Sequence, residues 1–356
     1  MLTFLRRSLT TLLILLAMAW LATVIALKYE SHEYAVLPAE QSAIAKAYYE
    51  ANVEPMPLEW TWSQFQAEPD VELRTGYLDA EQAKGTVVIV PGFTSPIEMQ
   101  AHAIKSFHAA GFKVVAIDYR GQGGSWRPLN NPEKGYVEDY AILADDVARY
   151  AKSVRIQGKP LFFHSISMGA QITMRMAERN LANADAIALV VPMIEINPVG
   201  VELGSMKALA GFASAIGLGS MYAPGQSSWP SEGLSFGVAG DCNANPDTTQ
   251  AQSALFEKNS NLRVNGVTMR WLYESIVSGE HLLSDSYAKN MALPIKMFTA
   301  GDDRIVNSQA AENFCESLSQ CESFDFATSR HCINRENTDV YDEILRQSVE
   351  FYLQHS

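Results

Sequence analysis

The sequence predicts an α/β fold with a mostly parallel central sheet and helices on both faces. Two β-branched runs, Thr86–Val90 and Lys113–Ile117, flank a stretch of helical periodicity, residues 97–110, closed by Gly111. Turn chemistry follows each run: Pro91-Gly92-Phe93-Thr94 after the first, and Asp118-Tyr119-Arg120-Gly121-Gln122-Gly123-Gly124-Ser125 after the second. Strand, helix, strand is the unit of a parallel sheet, because parallel neighbours need a crossover long enough to hold a helix.

A third apolar run, ending at residues 161–163, leads into His164-Ser165-Ile166-Ser167-Met168-Gly169-Ala170, which reads as a sharp turn, with an amphipathic helix from Gln171. A hydroxyl is a poor nucleophile, and a strained strand-to-helix turn that presents it beside a base makes it reactive. Such a turn needs small residues two before and two after the serine. Ser167 has Ser165 and Gly169 there, whereas Ser165 would have Phe163 and Ser167. Ser167 is therefore the candidate nucleophile, and acyl transfer through a covalent intermediate is the expected chemistry. The loop after the first strand is where an oxyanion hole would form, from the backbone N–H groups of Phe93 and Met168.

Downstream, residues 295–299 form another apolar run, followed by Ala300-Gly301-Asp302-Asp303-Arg304-Ile305-Val306. A last short strand is expected over 323–327, with Ser329-Arg330-His331-Cys332 behind it and a terminal amphipathic helix over 340–353. The chain thus offers a serine, then an aspartate, then a histidine, each just after a strand. That is a nucleophile, acid, base order. No other histidine has this placement: His102 and His108 fall on a helix, His164 precedes the turn, His281 lies in the middle segment, and His32 and His355 are terminal.

These motifs, in this order from about residue 84 to the C-terminus, resemble the α/β hydrolases, specifically the bacterial lysophospholipase and monoacylglycerol lipase branch. The resemblance rests on Val90-Pro91-Gly92-Phe93, Ile117-Asp118-Tyr119-Arg120-Gly121-Gln122-Gly123, Gly135-Tyr136-Val137-Glu138-Asp139-Tyr140, residues 259–272, Ser167-Met168-Gly169, the Asp302-Asp303 turn and His331. It implies Ser167 as nucleophile, Asp303 as acid, His331 as base, and Phe93 and Met168 as oxyanion donors. Asp303 is preferred to Asp302 because the acid in such relatives directly precedes a basic residue and an apolar pair, here Arg304-Ile305-Val306. The chain departs from that pattern at Ser165, Ala170, Pro91 and Cys332, where relatives carry glycine, glycine, histidine and often glutamate.

The resemblance implies one large domain interrupted by an inserted cap: residues 29–191 as a leading arm and the first part of the core, 192–291 as the cap, and 292–356 as the rest of the core. The middle segment is rich in glycine, serine, methionine and aromatic residues, including Tyr222, Trp229 and Phe236, with a helical stretch over 248–259. Expected substrates are acyl esters, in particular monoacyl lipids. A small-ester or amide hydrolase and a catalytically silent membrane-anchored binding protein are the competing readings.

Arg6 and Arg7 precede an uncharged, largely apolar run over residues 8–27, about the twenty residues needed to cross the roughly 30 Å hydrocarbon core. Residues 1–28 are read as a membrane anchor with a cytoplasmic N-terminus and an extracytoplasmic, periplasmic body. A cleaved signal peptide is the rival reading. With a net charge of -13 the chain is a poor nucleic-acid binder. It carries no polybasic patch for anionic lipid. No cofactor is expected, since the glycine-rich stretch after Arg120 lacks dinucleotide or phosphate-loop spacing and the cysteines and histidines lack zinc spacing. Four cysteines suit an oxidising compartment, and Cys315 and Cys321 are close enough to bridge, but spacing leaves the pairing of Cys242, Cys315, Cys321 and Cys332 open, as it does the oligomeric state.

Overall fold

The computed structural model describes residues 2–198, 200–229, 242, 246–284, 287, 291–336 and 338–356; Phe236 lies outside them. Eight strands form one sheet: β1 (Thr61–Glu68), β2 (Val71–Leu78), β3 (Thr86–Val90), β4 (Lys113–Ile117), β5 (Leu161–Ile166), β6 (Ala186–Val190), β7 (Ile295–Ala300) and β8 (Cys321–Phe326). Their spatial order is β1-β2-β4-β3-β5-β6-β7-β8. The first two strands are antiparallel additions at one edge, and every later pair is parallel.

Strands β3, β4 and β6 read as near-continuous apolar runs because both faces of the sheet are covered there. Side chains alternate between the faces. Val88, Val90, Val115, Phe163, Leu189 and Met297 point into one core. Val87, Ile89, Val114, Phe162, Ala188 and Phe298 point into the other. Helices α4 (Tyr140–Val154), α5 (Met168–Ala177) and α9 (Ser308–Ser317) cover the first face. Helices α3 (Ala101–Ala109) and α11 (Thr338–Gln354) cover the second, where Phe162 stacks on Tyr352 with ring centroids 4.6 Å apart.

Helix α1 (Leu2–Lys28) is exposed along residues 11–28 and is long and apolar enough to cross a membrane. Helix α2 (Ala39–Asn52) follows, and packs on α7 (Pro246–Lys258). Between β6 and β7 the chain leaves the sheet through α6 (Leu203–Ala215), α7 and α8 (Met269–Leu282). Short α10 (Ile333–Glu336) precedes α11.

One boundary differs from the sequence reading in a way that matters. Strand β5 runs three residues further, to Ile166, and α5 begins at Met168, so the expected seven-residue turn contracts to Ser167 alone. The polar letters His164 and Ser165 suggested a loop, yet both are wholly buried and pair with Ile89 and Val90 on one side and Ala188 and Leu189 on the other. Ser165 satisfies its hydroxyl against Thr173 Oγ1 at 2.8 Å, which is what allows a polar side chain to sit in the sheet.

Candidate active site

Ser167 sits between β5 and α5 with φ 52° and ψ -115°, a backbone conformation that non-glycine residues rarely adopt. Its N–H donates to Val190 O at 2.9 Å, and its carbonyl accepts from Ala170 N at 3.0 Å and from Gln171 N and Met193 N at 3.2 Å. The small-neighbour requirement has a direct cause. A Cβ on Gly169 would lie 2.2 Å from Val90 O and 2.4 Å from Pro91 O. A Cβ on Gly92 would approach Ser167 Cβ to 3.3 Å. The turn at Ser167 is thus pressed against the end of β3, and glycine is what permits it.

Ser167 Oγ lies 2.8 Å from His331 Nε2, and His331 Nδ1 lies 2.7 Å from Asp303 Oδ2. The Asp303 side chain has no exposed surface, and its Oδ1 accepts from Ile305 N and Val306 N, both at 2.9 Å. With this carboxylate ionised, the network assigns the imidazole proton to Nδ1 and leaves Nε2 to accept from the serine hydroxyl. Asp302 points elsewhere. It is half exposed and paired with Arg330 at 3.0 Å and Arg304 at 3.2 Å. Hydrogen bonds from Arg330 and then Arg304 hold its carboxyl below the usual carboxylate range. Of the two adjacent aspartates, only Asp303 joins Ser167 and His331.

Across the cavity, the loop after β3 rests on Ser167 through Gly92. Among the described residues, neither Phe93 N–H nor Met168 N–H donates to a protein acceptor, so both stay free for a ligand oxygen. The backbone role leaves the Phe93 side chain unconstrained, but packing does not: its ring lies 5.2 Å from that of Trp271, and a Cβ on Gly135 would meet it at 2.5 Å.

The cavity beside Ser167 and His331 has a volume of about 170 Å³. Phe93, Met193, Trp271 and Ile305 give it apolar walls; Gln252 and the Cys242–Cys332 disulfide close it from the middle segment and the histidine loop. Among the described residues none of its lining groups is a carboxylate, Lys or Arg.

The sequence reading gave no role to Trp271, which lies in the 259–272 stretch, or to Gln252, which belongs to no motif, and it missed what supports the loop after β3. Arg74 on β2 binds Glu98 through both terminal nitrogens at 2.6 and 2.7 Å, and Asp118 Oδ2 through Nε at 2.7 Å. Asp118 Oδ1 in turn accepts from Ile97 N at 3.0 Å. The Asp118-Tyr119-Arg120-Gly121 motif is therefore scaffolding beneath that loop; a Cβ on Gly123 would collide with the Asp118 carboxylate at 2.0 Å. The remaining histidines are away from the site: His164 is buried in β5, His102 bridges Glu54 and Asp342 on the surface, and His281 pairs with Glu178.

A family model described as Hydrolase_4, serine aminopeptidase S33, matches residues 81–338. The chain belongs to this family of serine hydrolases. The match begins just before β3 and spans Ser167, Asp303, His331 and every residue that lines the cavity. Among characterised relatives, this Hydrolase_4 chain is 28% identical over 259 residues to lysophospholipase L2 of Escherichia coli K12, covering 71% of the chain and 74% of that protein. Among solved structures, a monoglyceride lipase from Saccharomyces cerevisiae aligns with a TM-score of 0.66 at 16% identity, over 86% of this chain and 98% of that one. A carboxyl esterase from Bacillus coagulans aligns with a TM-score of 0.64 at 16% identity, over 84% and 99%. The fold is that of an α/β hydrolase.

Proposed function

We propose that the chain is a serine ester hydrolase acting on single-chain lipid esters, lysophospholipids or monoacylglycerols, with Ser167 as nucleophile, His331 as base and Asp303 as acid. The observation that carries this reading is the relay from Ser167 through His331 to buried Asp303, opening on an apolar cavity. His331 Nε2 takes the hydroxyl proton as Ser167 Oγ attacks the ester carbonyl, and Asp303 stabilises the imidazolium. Phe93 N–H and Met168 N–H receive the oxyanion; one such donor contributes on the order of 3 kcal/mol in comparable enzymes. His331 then protonates the leaving alcohol, and water releases the acyl group by the same steps in reverse.

The cavity walls support an ester over a peptide. A free α-amino group, as an aminopeptidase substrate carries, needs a carboxylate partner when buried, and the described lining has none. The names of the relatives, lysophospholipase and monoglyceride lipase, point the same way. Residues 192–291 act as the cap over the site. A cavity of about 170 Å³ is smaller than the roughly 300–1,000 Å³ of typical ligand pockets, so a long chain enters with movement of that cap.

Helix α1 anchors the enzyme with its body outside the cytoplasm. All four cysteines are paired, as Cys242–Cys332 and Cys315–Cys321, which suits an oxidising compartment. Trp20 Nε1 donates to Ile216 O at 2.9 Å. This contact ties the middle segment to the apolar helix.

The test is a chain-length series of monoacyl esters, presented below their micelle-forming concentrations to the full-length protein in mild detergent. Each buried methylene is worth about 0.8 kcal/mol, so kcat/KM should climb from acetyl to medium and long chains. A flat profile, or a preference for acetate, rejects the lipid substrate and leaves a small-ester hydrolase. In parallel, Ser167→Ala should abolish fluorophosphonate labelling while Ser165→Ala keeps it; labelling that survives Ser167→Ala rejects the nucleophile.

A further inference from the structure

Thr94, the residue after the oxyanion donor Phe93, has φ 60°. A β-branched side chain is a steric outlier there, and such a conformation persists only where the surroundings over-determine it. A turn closed by Ser95 N–H donating to Gly92 O at 3.2 Å and two glutamines do so. From the loop after β4, Gln122 Oε1 accepts from Thr94 N–H at 2.9 Å. From α7 in the cap, Gln252 Nε2 donates to Thr94 O and, at 3.0 Å, to Thr94 Oγ1. Gln122 is nearly fully buried and belongs to the scaffold, and its own N–H is tied to Tyr119 O at 3.0 Å. Gln252 is half-buried and belongs to the element that covers the site.

The two clamps differ in kind. Gln122 is fixed to the sheet whatever the cap does. Gln252 reaches Thr94 only while α7 is seated over the cavity, and its two bonds engage the carbonyl and hydroxyl that Gln122 leaves alone. Peptide planes on either side of Thr94 are therefore held from opposite sides, and the Phe93 N–H lies one residue from the clamp. Releasing Gln252 leaves Thr94 held only by Gln122 and the Gly92–Ser95 turn, so its unfavourable φ is less fully determined and the backbone that carries the donor gains freedom.

We propose that Gln252 is a positioning residue that couples cap closure to assembly of the oxyanion hole: with α7 seated it holds Thr94, and thereby the Phe93 N–H, in the geometry that receives the oxyanion. This rests on the ester-hydrolase reading above and names a regulation of the same site. The cap then does more than shield the acyl chain, since an enzyme whose cap is displaced binds ester but turns it over slowly.

The experiment compares wild type, Gln252→Ala and Gln252→Glu as full-length proteins in mild detergent. The glutamate variant keeps the shape and loses the donor, so it controls for packing, and thermal melts check that both fold. Steady-state kinetics on one medium-chain ester are paired with two inhibitors of equal chain length. A trifluoromethyl ketone forms the tetrahedral adduct with Ser167 and needs the oxyanion hole; the matching methyl ketone reports ground-state binding. Both variants should lose about 10- to 100-fold in kcat, a part of the 10²–10³ attributed to one whole donor, with KM within twofold. The inhibition constant of the trifluoromethyl ketone should rise by the same factor, and that of the methyl ketone should stay within twofold. The proposal is overturned if kcat holds while KM and both inhibition constants rise together, which makes Gln252 a wall of the acyl pocket. It is equally overturned if Gln252→Glu retains wild-type kcat. Ser167→Ala in the same assay reports on the hydrolase reading separately, because a failure there leaves wild type without turnover and a failure of the clamp does not.

Discussion

Replacing Asp303 with Asn tests the relay at its least ambiguous atom. Asp303 Oδ1 accepts two backbone N–H groups at 2.9 Å, and Oδ2 faces His331 Nδ1 at 2.7 Å. An asparagine in the same place keeps its carbonyl oxygen toward Ile305 N and Val306 N, since turning the amide round would set a donor against two donors. Its NH₂ then points at His331 Nδ1, which must become an acceptor, and the ring proton moves to Nε2. In that tautomer the imidazole donates toward Ser167 Oγ and cannot take its proton. The expected loss in kcat is about 10⁴-fold, as for the same substitution in a serine-protease triad, or about 5.4 kcal/mol at 1.36 kcal/mol per tenfold. Asp302→Asn should cost less than about threefold in kcat, because Asp302 is half exposed and pairs with Arg304 and Arg330, not with His331. Both variants are assayed on one ester at saturating concentration, with thermal melts to show that each folds. Equal losses, or the larger loss at Asp302, refute the assignment of Asp303 as the group that orients His331.

Burial holds His164 down to about 3, against an ordinary value of 6.5, so the folded state stays neutral where the unfolded state takes up a proton. Stability should be complete above about pH 6.5 and fall toward pH 3 with a slope approaching 1.4 kcal/mol per unit; denaturant melts of His164→Gln should show that slope reduced, and parallel curves would refute it. Cys315–Cys321 closes a loop of separation 6, for which chain entropy gives about 2 kcal/mol; the Cys315→Ser, Cys321→Ser double variant should lose that much by urea melts, and an unchanged midpoint would show the bridge is idle. A reporter that folds only outside the cytoplasm, fused after Ser356, should be active and the protein should need detergent for extraction. A soluble product beginning beyond the apolar run would instead establish a cleaved signal.

What could be read from sequence follows physical range. Strands β3 and β4 were legible, and bounded to the residue, because burial on both faces leaves near-unbroken apolar runs. The tight turn at Ser167 was legible because Gly169 must clear the carbonyls of Val90 and Pro91, a local steric demand that leaves a mark on the chain. The end of β5 was misread for the converse reason: Ser165 is polar, and its partner Thr173 lies a helical turn away in a different element. Arg74, Glu98 and Asp118 come from three separate segments, so although Asp118 sits in a recognisable stretch, no one segment names its partners. Cysteine spacing left Cys242 and Cys332 unpaired on paper, because a bridge across 90 residues is fixed only by the fold.

Cys242 and Gln252 stand ten residues apart in the same middle segment, yet they reach opposite walls of the site. The first is bonded to Cys332, the neighbour of His331, whose N–H also donates to Cys242 O at 2.6 Å. The second holds Thr94, the neighbour of Phe93. The base and the oxyanion donor are brought in by strands at different positions in the sheet, β7 and β8 for the acid and base loops and β3 for the donor, and both rest on Ser167 between them, His331 by its hydrogen bond and the loop after β3 through Gly92. One covering segment is attached to the neighbours of both. In this reading the covalent tether keeps the segment registered on the base, the hydrogen-bonded tether is the one free to open, and the asymmetry decides which half of the machinery a moving cap disturbs: proton transfer at His331 stays intact while oxyanion stabilisation at Phe93 is lost.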